Sequence, residues 1–161
     1  MAGEAIFLKL DGIPGESTSK AFDKQIEVSS FQWGVSNGAA VGGRGASQPT
    51  ADDIVITKTI DASSALLLGA CLSGKVVKTG VFTFEKDRST KAAAEVKFLQ
   101  IKLTNVLVSS YDIGDASGAN NAPTDRVSFS FQKIEFDYTP LGAATITTVW
   151  QPIPGEGTPD R

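Results

Sequence analysis

Apolar residues recur at every second position through most of this 161-residue chain, and that period belongs to half-buried strands. In EAIFLKL, Ile6, Leu8 and Leu10 share one face; in DIVITKTI, Ile54, Ile56 and Ile60 do the same. Three longer segments change parity partway. Ile26 and Val28 give way to Phe31, Trp33 and Val35; Phe98 gives way to Leu99, Ile101 and Leu103; Phe129 and Phe131 give way to Ile134, Phe136 and Tyr138. A change of parity needs either a bulge that rotates the strand or cover on both faces. The expectation is a mainly β fold of curled, barrel-like sheets, with part of the outer face covered by a helix or by another subunit.

One segment breaks the alternation as a helix: DASSALLLGACLSG, with Asp61 as N-cap and Gly74 where a left-handed C-terminal glycine is expected. STKAAAEV, residues 89 to 96, is rich in helix formers but short, and reads as a turn between strands. Gly, Pro, Ser, Asn and Asp cluster at 11 to 24, 85 to 95 and 109 to 126, which read as loops. Another connection is longer and odder. SNGAAVGGRGASQPT, residues 36 to 50, carries one charge, Arg44, and almost nothing that fills a core. Loops beyond about 12 to 15 residues are usually functional or disordered.

Size and charge limit the partners. A chain of this length buries about 68 to 70% of its unfolded surface as one domain and needs no staple. The single Cys71 cannot form an internal bridge, which fits a cytoplasmic start. MAGEAIFLKLDG has no basic leader region and runs directly into alternation, so no Sec signal peptide is expected; the longest apolar run, ALLLGACL, is too short to span a membrane. A net charge of -3 with dispersed Lys and Arg argues against nucleic acid and anionic membrane.

The chemistry is most informative by omission. Without a histidine there is no Ser-His-Asp triad, no Cys-His pair and no His-containing zinc site. Cys71, beside Leu67, Leu68 and Leu72, reads as a small core residue. Gly69 to Lys75, GACLSGK, imitates part of a phosphate loop, but Val76 replaces the required Ser or Thr and the helix precedes the glycines instead of following them. Asp112, Asp115, Asn120 and Asn121 match no calcium-loop spacing and read as turn chemistry; Asp52 and Asp53 point to opposite sides of a strand start. The aromatics Phe31, Trp33, Phe129, Phe131, Phe136, Tyr138 and Trp150 read as core or interface residues. No catalytic, metal or cofactor residue is expected.

Taken in order, a first strand and GIPGES, VSSFQWGVSNG, a glycine-rich loop, ITKTIDASSALLLGACLSGK, FLQIKLTNVLVSSYDIG and RVSFSFQKIEFDYTP resemble the haemolysin-coregulated protein (Hcp) family of bacterial type VI secretion systems. The resemblance covers nearly the whole chain; its most specific pieces are the strand-to-helix passage, LTNVLVSS and the final DYTP. The tail QPIPGEGTPDR and details of the loop at 36 to 50 depart from it. It implies a phage tail-tube-like fold, a tight β-barrel of two antiparallel sheets with one flanking α-helix, over residues 1–150; the Pro and Gly content of residues 151–161 reads as a flexible C-terminal tail. It further implies a homohexameric ring that stacks into the inner tube, with sheath, spike and effector proteins as partners. Such a protein is cytoplasmic before firing and secreted afterwards. Gly38, Ala39, Ala40, Val41, Gly42, Gly43, Arg44 and Gly45 are the expected ring-stacking loop. The competing readings are the tube of a phage-like contractile particle, a small secreted effector or enzyme with a site in its loops, and a monomeric carbohydrate-binding β-sandwich. Mass in solution separates the tube readings from the monomeric sandwich, and a panel assay for hydrolase activity tests the enzyme.

Overall fold

The computed structural model describes residues 5–38, 49–85, 97–115, 123–140 and 142–151. Among these, β1 (Ala5–Leu10) leads through a 3-10 turn (Lys20–Phe22) to β2 (Ile26–Val28), β3 (Ser30–Gln32), β4 (Val35–Asn37), β5 (Pro49–Ala51) and β6 (Ile54–Thr59). The helix α1 (Ala62–Ser73) follows, then β7 (Val76–Glu85), β8 (Lys97–Asp115), β9 (Pro123–Tyr138) and β10 (Ile146–Trp150). All strand pairs are antiparallel. The large sheet runs β2-β1-β7-β8-β9-β6-β3, with β10 on the remaining edge of β9, and the second sheet is the small β4–β5 ribbon.

The parity changes explain how the large sheet curls. At Ser29 the chain leaves β1 as its partner and joins β6: Ile6 faces Val28, whereas Phe31 faces Ile56, and the Ser29 N–H donates to the Thr57 carbonyl at 2.8 Å. β2 and β3 are thus consecutive pieces of one segment that brings the two ends of the sheet together, leaving a nearly closed barrel and few bare edges. A second flip crosses three strands at one level. Val77, Val106 and Phe131 lie in one row and Gly80, Leu103 and Ile134 in another, both turned inward. Between them Asn105 takes a left-handed backbone, φ 55°, which asparagine tolerates, and its side-chain amide donates to Gln132 Oε1. β8 therefore turns over twice: at Phe98, as the alternation suggested, where Leu99 pairs with Phe84 and Lys97 with Glu85 so that Phe98 is the extra residue of a bulge, and again after Leu103. Phe98 packs edge-on against Tyr138.

The core is one cluster, centred on Leu8, Ile26, Ile54, Ile56, Phe82, Val106, Val127 and Phe129. Phe31 meets Phe82 and Phe84 edge-on, and Phe82 meets Phe129 in the same way. Part of the outer face is covered as expected, here by the chain itself: the Phe22 ring of the 3-10 turn stacks on Phe7 at 4.3 Å. GIPGES holds that turn in place. The Gly15 N–H donates to the Lys24 carbonyl, and a Cβ at Gly15 would lie 2.6 Å from the Gln25 carbonyl oxygen. The segment 109 to 126 is less of a loop than its composition suggested. β8 continues to Asp115 and β9 begins at Pro123, paired through Ser110–Ser128 to Asp115–Pro123, because polar strands suffice at the rim of a barrel. Residues 89 to 96 lie outside the described residues.

Candidate functional site

The helix is fixed to the barrel by a buried polar cluster. Lys58 occupies an inward position of β6, between Ile56 and Ile60, and lies directly across the ladder from Asp125 of β9. Both side chains are fully buried, with Nζ 3.1 Å from Oδ2. The ammonium also donates to Asp61 Oδ1 and to Ser64 Oγ, each at 3.0 Å. Asp61 caps α1: its carboxylate accepts from the Ser63 N–H and hydroxyl, while its own N–H donates to Ser64 Oγ. Ser64 and Tyr111 donate to Asp125 Oδ2 at 2.8 and 2.7 Å. Burial and then the Asp125 carboxylate push the Tyr111 phenol up to about 12. A buried ion pair needs such hydrogen bonds to offset its desolvation, so this cluster works as a latch between β6, β8, β9 and α1. Among the described residues no group of His, Cys, Asp or Glu is arranged to hold a metal.

Neither Lys58 nor Asp125 was singled out by motif reasoning, yet each carried a signal: a charge at an inward position of its own strand's alternation. The residues that motifs did single out fall elsewhere. Cys71 is only partly buried, packed at the margin of the core, not enclosed within it. Gly74 closes the helix at φ 71° with its N–H on the Ala70 carbonyl, so GACLSGK is a helix terminus. Asp53 accepts from the Ser109 hydroxyl, and the Asp52 carbonyl accepts from the Trp33 indole. Asp112 is exposed across from Arg126, whereas Asn120 and Asn121 lie outside the described residues.

The long loop has an ordered base. Val35, Ser36 and Asn37 pair with Ala51, Thr50 and Pro49, so the ends of the 36 to 50 stretch form a two-stranded ribbon. Gly38, the last described residue before the tip, is exposed, with open space around it. Ala39, Ala40, Val41, Gly42, Gly43, Arg44 and Gly45 lie outside the described residues.

Among the described residues, exposed apolar side chains gather at two places. On α1 and the strand after it, Leu66, Leu68, Leu72 and Val76 are exposed, Leu72 by 79%. At one end of the barrel Phe136, Tyr138, Ile146 and Val149 of β9 and β10 are exposed, and Val35 of the ribbon stands nearby. The two strands at that end are tied by the Thr147 hydroxyl, which donates to Asp137 at 2.7 Å. Burial pushes the Asp137 carboxyl up, but Thr147, Glu135 and Lys102 outweigh it and hold the group below its ordinary value.

Comparison with known proteins agrees with this arrangement. The family described as "Type VI secretion system effector, Hcp" matches residues 7–138. The Pseudomonas aeruginosa protein Hcp1 is 34% identical over 141 residues, covering 86% of this chain and 85% of that protein. Among solved structures, Hcp1 from Salmonella typhimurium superposes with a TM-score of 0.79 at 26% identity, covering 94% of this chain and 95% of that one. A structure described as a type six secretion system protein gives 0.81 at 27% identity, covering 91% and 94%.

Proposed function

The chain belongs to the Hcp family of type VI secretion proteins and is a tube subunit of that system, and we propose that it acts there as a closed ring of six copies. Stacked rings then form the inner tube that is expelled, with effectors held in the lumen. The observation that carries the reading is a buried core beside uncovered apolar surface. One cluster of buried residues forms the core, yet Leu66, Leu68 and Leu72 of α1 with Val76 of β7, and Phe136, Tyr138, Ile146 and Val149 of β9 and β10, stay exposed. Apolar patches of this kind mark sites of association. Two different patches on one subunit suit a heterologous, head-to-tail contact, which closes into a ring when the rotation allows.

Residues 1–150 act in this reading as one Hcp-like domain, with 151–161 as an appended tail. The loop from Gly38 to Gly45, which joins the two strands of the β4–β5 ribbon, is the ring-stacking element. Sheath, spike and effector proteins are the other partners, and the protein passes from the cytoplasm to the outside when the tube fires. The family is one of structural tube proteins, and no catalytic step belongs to the proposal. Light scattering on the purified protein tests it, together with electron microscopy. A six-copy mass and annular particles are expected; monomer at every concentration would sink the ring.

A further inference from the structure

Both tryptophans of the chain face one cleft. An open groove of ≈ 570 Å³ lies between the β4–β5 ribbon and the β9–β10 end of the barrel, and Trp33, Val35, Pro49, Ile134, Phe136 and Trp150 line it. The Trp33 indole N–H is spent on the Asp52 carbonyl. The Trp150 indole N–H has no hydrogen-bond partner among the described residues. The hydroxyls of Ser36 and Thr148 also border the groove. An aromatic-lined groove with a few hydrogen-bond donors is the pattern that receives polyproline segments, whose backbone offers carbonyls and, at proline, no N–H.

The chain supplies such a segment at the groove's own rim. Described residues end at Gln151, next to Trp150, and the sequence continues PIPGEGTPDR. Ile153 is its one aliphatic residue and stands between two prolines, while the charges Glu156, Asp160 and Arg161 come later. A polyproline conformation rises about 3.1 Å per residue, so a tether of three residues from Trp150 would span about 9 Å. We propose that this cleft is the docking site of the chain's own Pro152–Ile153–Pro154 segment. Tethering favours that occupant over a second copy. One isoleucine and two prolines bind weakly, and only a short tether raises their effective concentration enough to fill the site. A stable contact between copies takes roughly 20–30 residues a side, whereas ten line this cleft. The inference goes beyond the ring and narrows it: Phe136 and Val149 line the cleft, so Tyr138 and Ile146 are what that end of the barrel leaves for a neighbouring subunit.

Trp33 and Trp150 are the only tryptophans, so intrinsic fluorescence reports this cleft alone. Full-length protein, Ile153→Ser, Ile153→Leu and a version ending at Gln151 are compared by emission maximum and by acrylamide quenching, over a wide range of protein concentration. The serine variant removes the apolar anchor without placing a charge near Trp150. Docking predicts a red shift and stronger quenching in Ile153→Ser and in the shortened chain, by the same amount at every concentration, with Ile153→Leu unchanged. Identical spectra and quenching in all four proteins would overturn it. So would a difference that appears only on concentration, which would assign the cleft to a second copy. Light scattering on the same samples keeps the ring question separate, since a monomeric result would sink the ring and leave the fluorescence comparison intact.

Discussion

Lys58 and Asp125 face each other across the β6–β9 ladder, both fully buried beside a core of aliphatic and aromatic side chains. Two charges out of water are costly, and removing one partner leaves the other stranded, a loss of about 3–5 kcal/mol. Lys58→Met should therefore destabilise the fold strongly in denaturant titration. The double variant Lys58→Met/Asp125→Leu should recover much of that loss, because an apolar pair of similar volume replaces both charges. A double variant no better than the single one would show that Ser64 and Tyr111, not the ion pair, hold the latch. Tyr111 reports the same cluster by pH. Its folded value lies above its ordinary 10.0, so the neutral phenol's contribution is fully present below pH 10 and is lost as pH rises through about 12. Ultraviolet titration should show a late phenol that disappears in Tyr111→Phe, and the two proteins should differ in stability most below pH 10, converging above about 12.

At the scale of elements, α1 separates two neighbouring leucines. Leu67 is fully buried in the core, whereas Leu68 is 42% exposed on the outward side. Leu67→Ala should cost about 2–5 kcal/mol, the usual loss for an enclosed leucine. Leu68→Asp should leave the chain folded by circular dichroism and remove the assembled species from light scattering; an unchanged assembly would take this face out of the subunit contact. The helix itself was legible because its signals are local: the Asp61 cap, the Ser64 return bond and the left-handed Gly74 lie within one short stretch. The alternation likewise showed the strands and the fact that three of them turn over. The pairing of Lys58 with Asp125 was not legible, because 67 residues separate them and a charge within an apolar alternation gives no hint of its partner. The second β8 flip, after Leu103, was hidden too. It depends on rows aligned across β7, β8 and β9, and no single strand contains that information.

At the scale of the whole molecule, the β4–β5 ribbon is a sheet of its own, paired with none of the strands of the main sheet. A tip rich in glycine, with Arg44 as its one charge, can follow a neighbouring backbone closely and add one oriented contact. Such a contact is weak in one subunit. Multiplied around a closed ring it becomes strong through avidity, so a modest loss in each copy is enough to abolish stacking. Replacing residues 38–47 with a short Gly-Ser turn should therefore leave the ring mass unchanged while tubes vanish from electron micrographs and secretion fails. The ribbon's own pairs, Val35 with Ala51 to Asn37 with Pro49, lie outside the replaced segment, so the fold should persist. Unchanged tubes and secretion would make the loop a tolerated insertion. Loss of the ring itself would move the loop to the lateral contact between subunits, where the exposed leucines of α1 and the apolar end of β9 and β10 would then have to be reassigned.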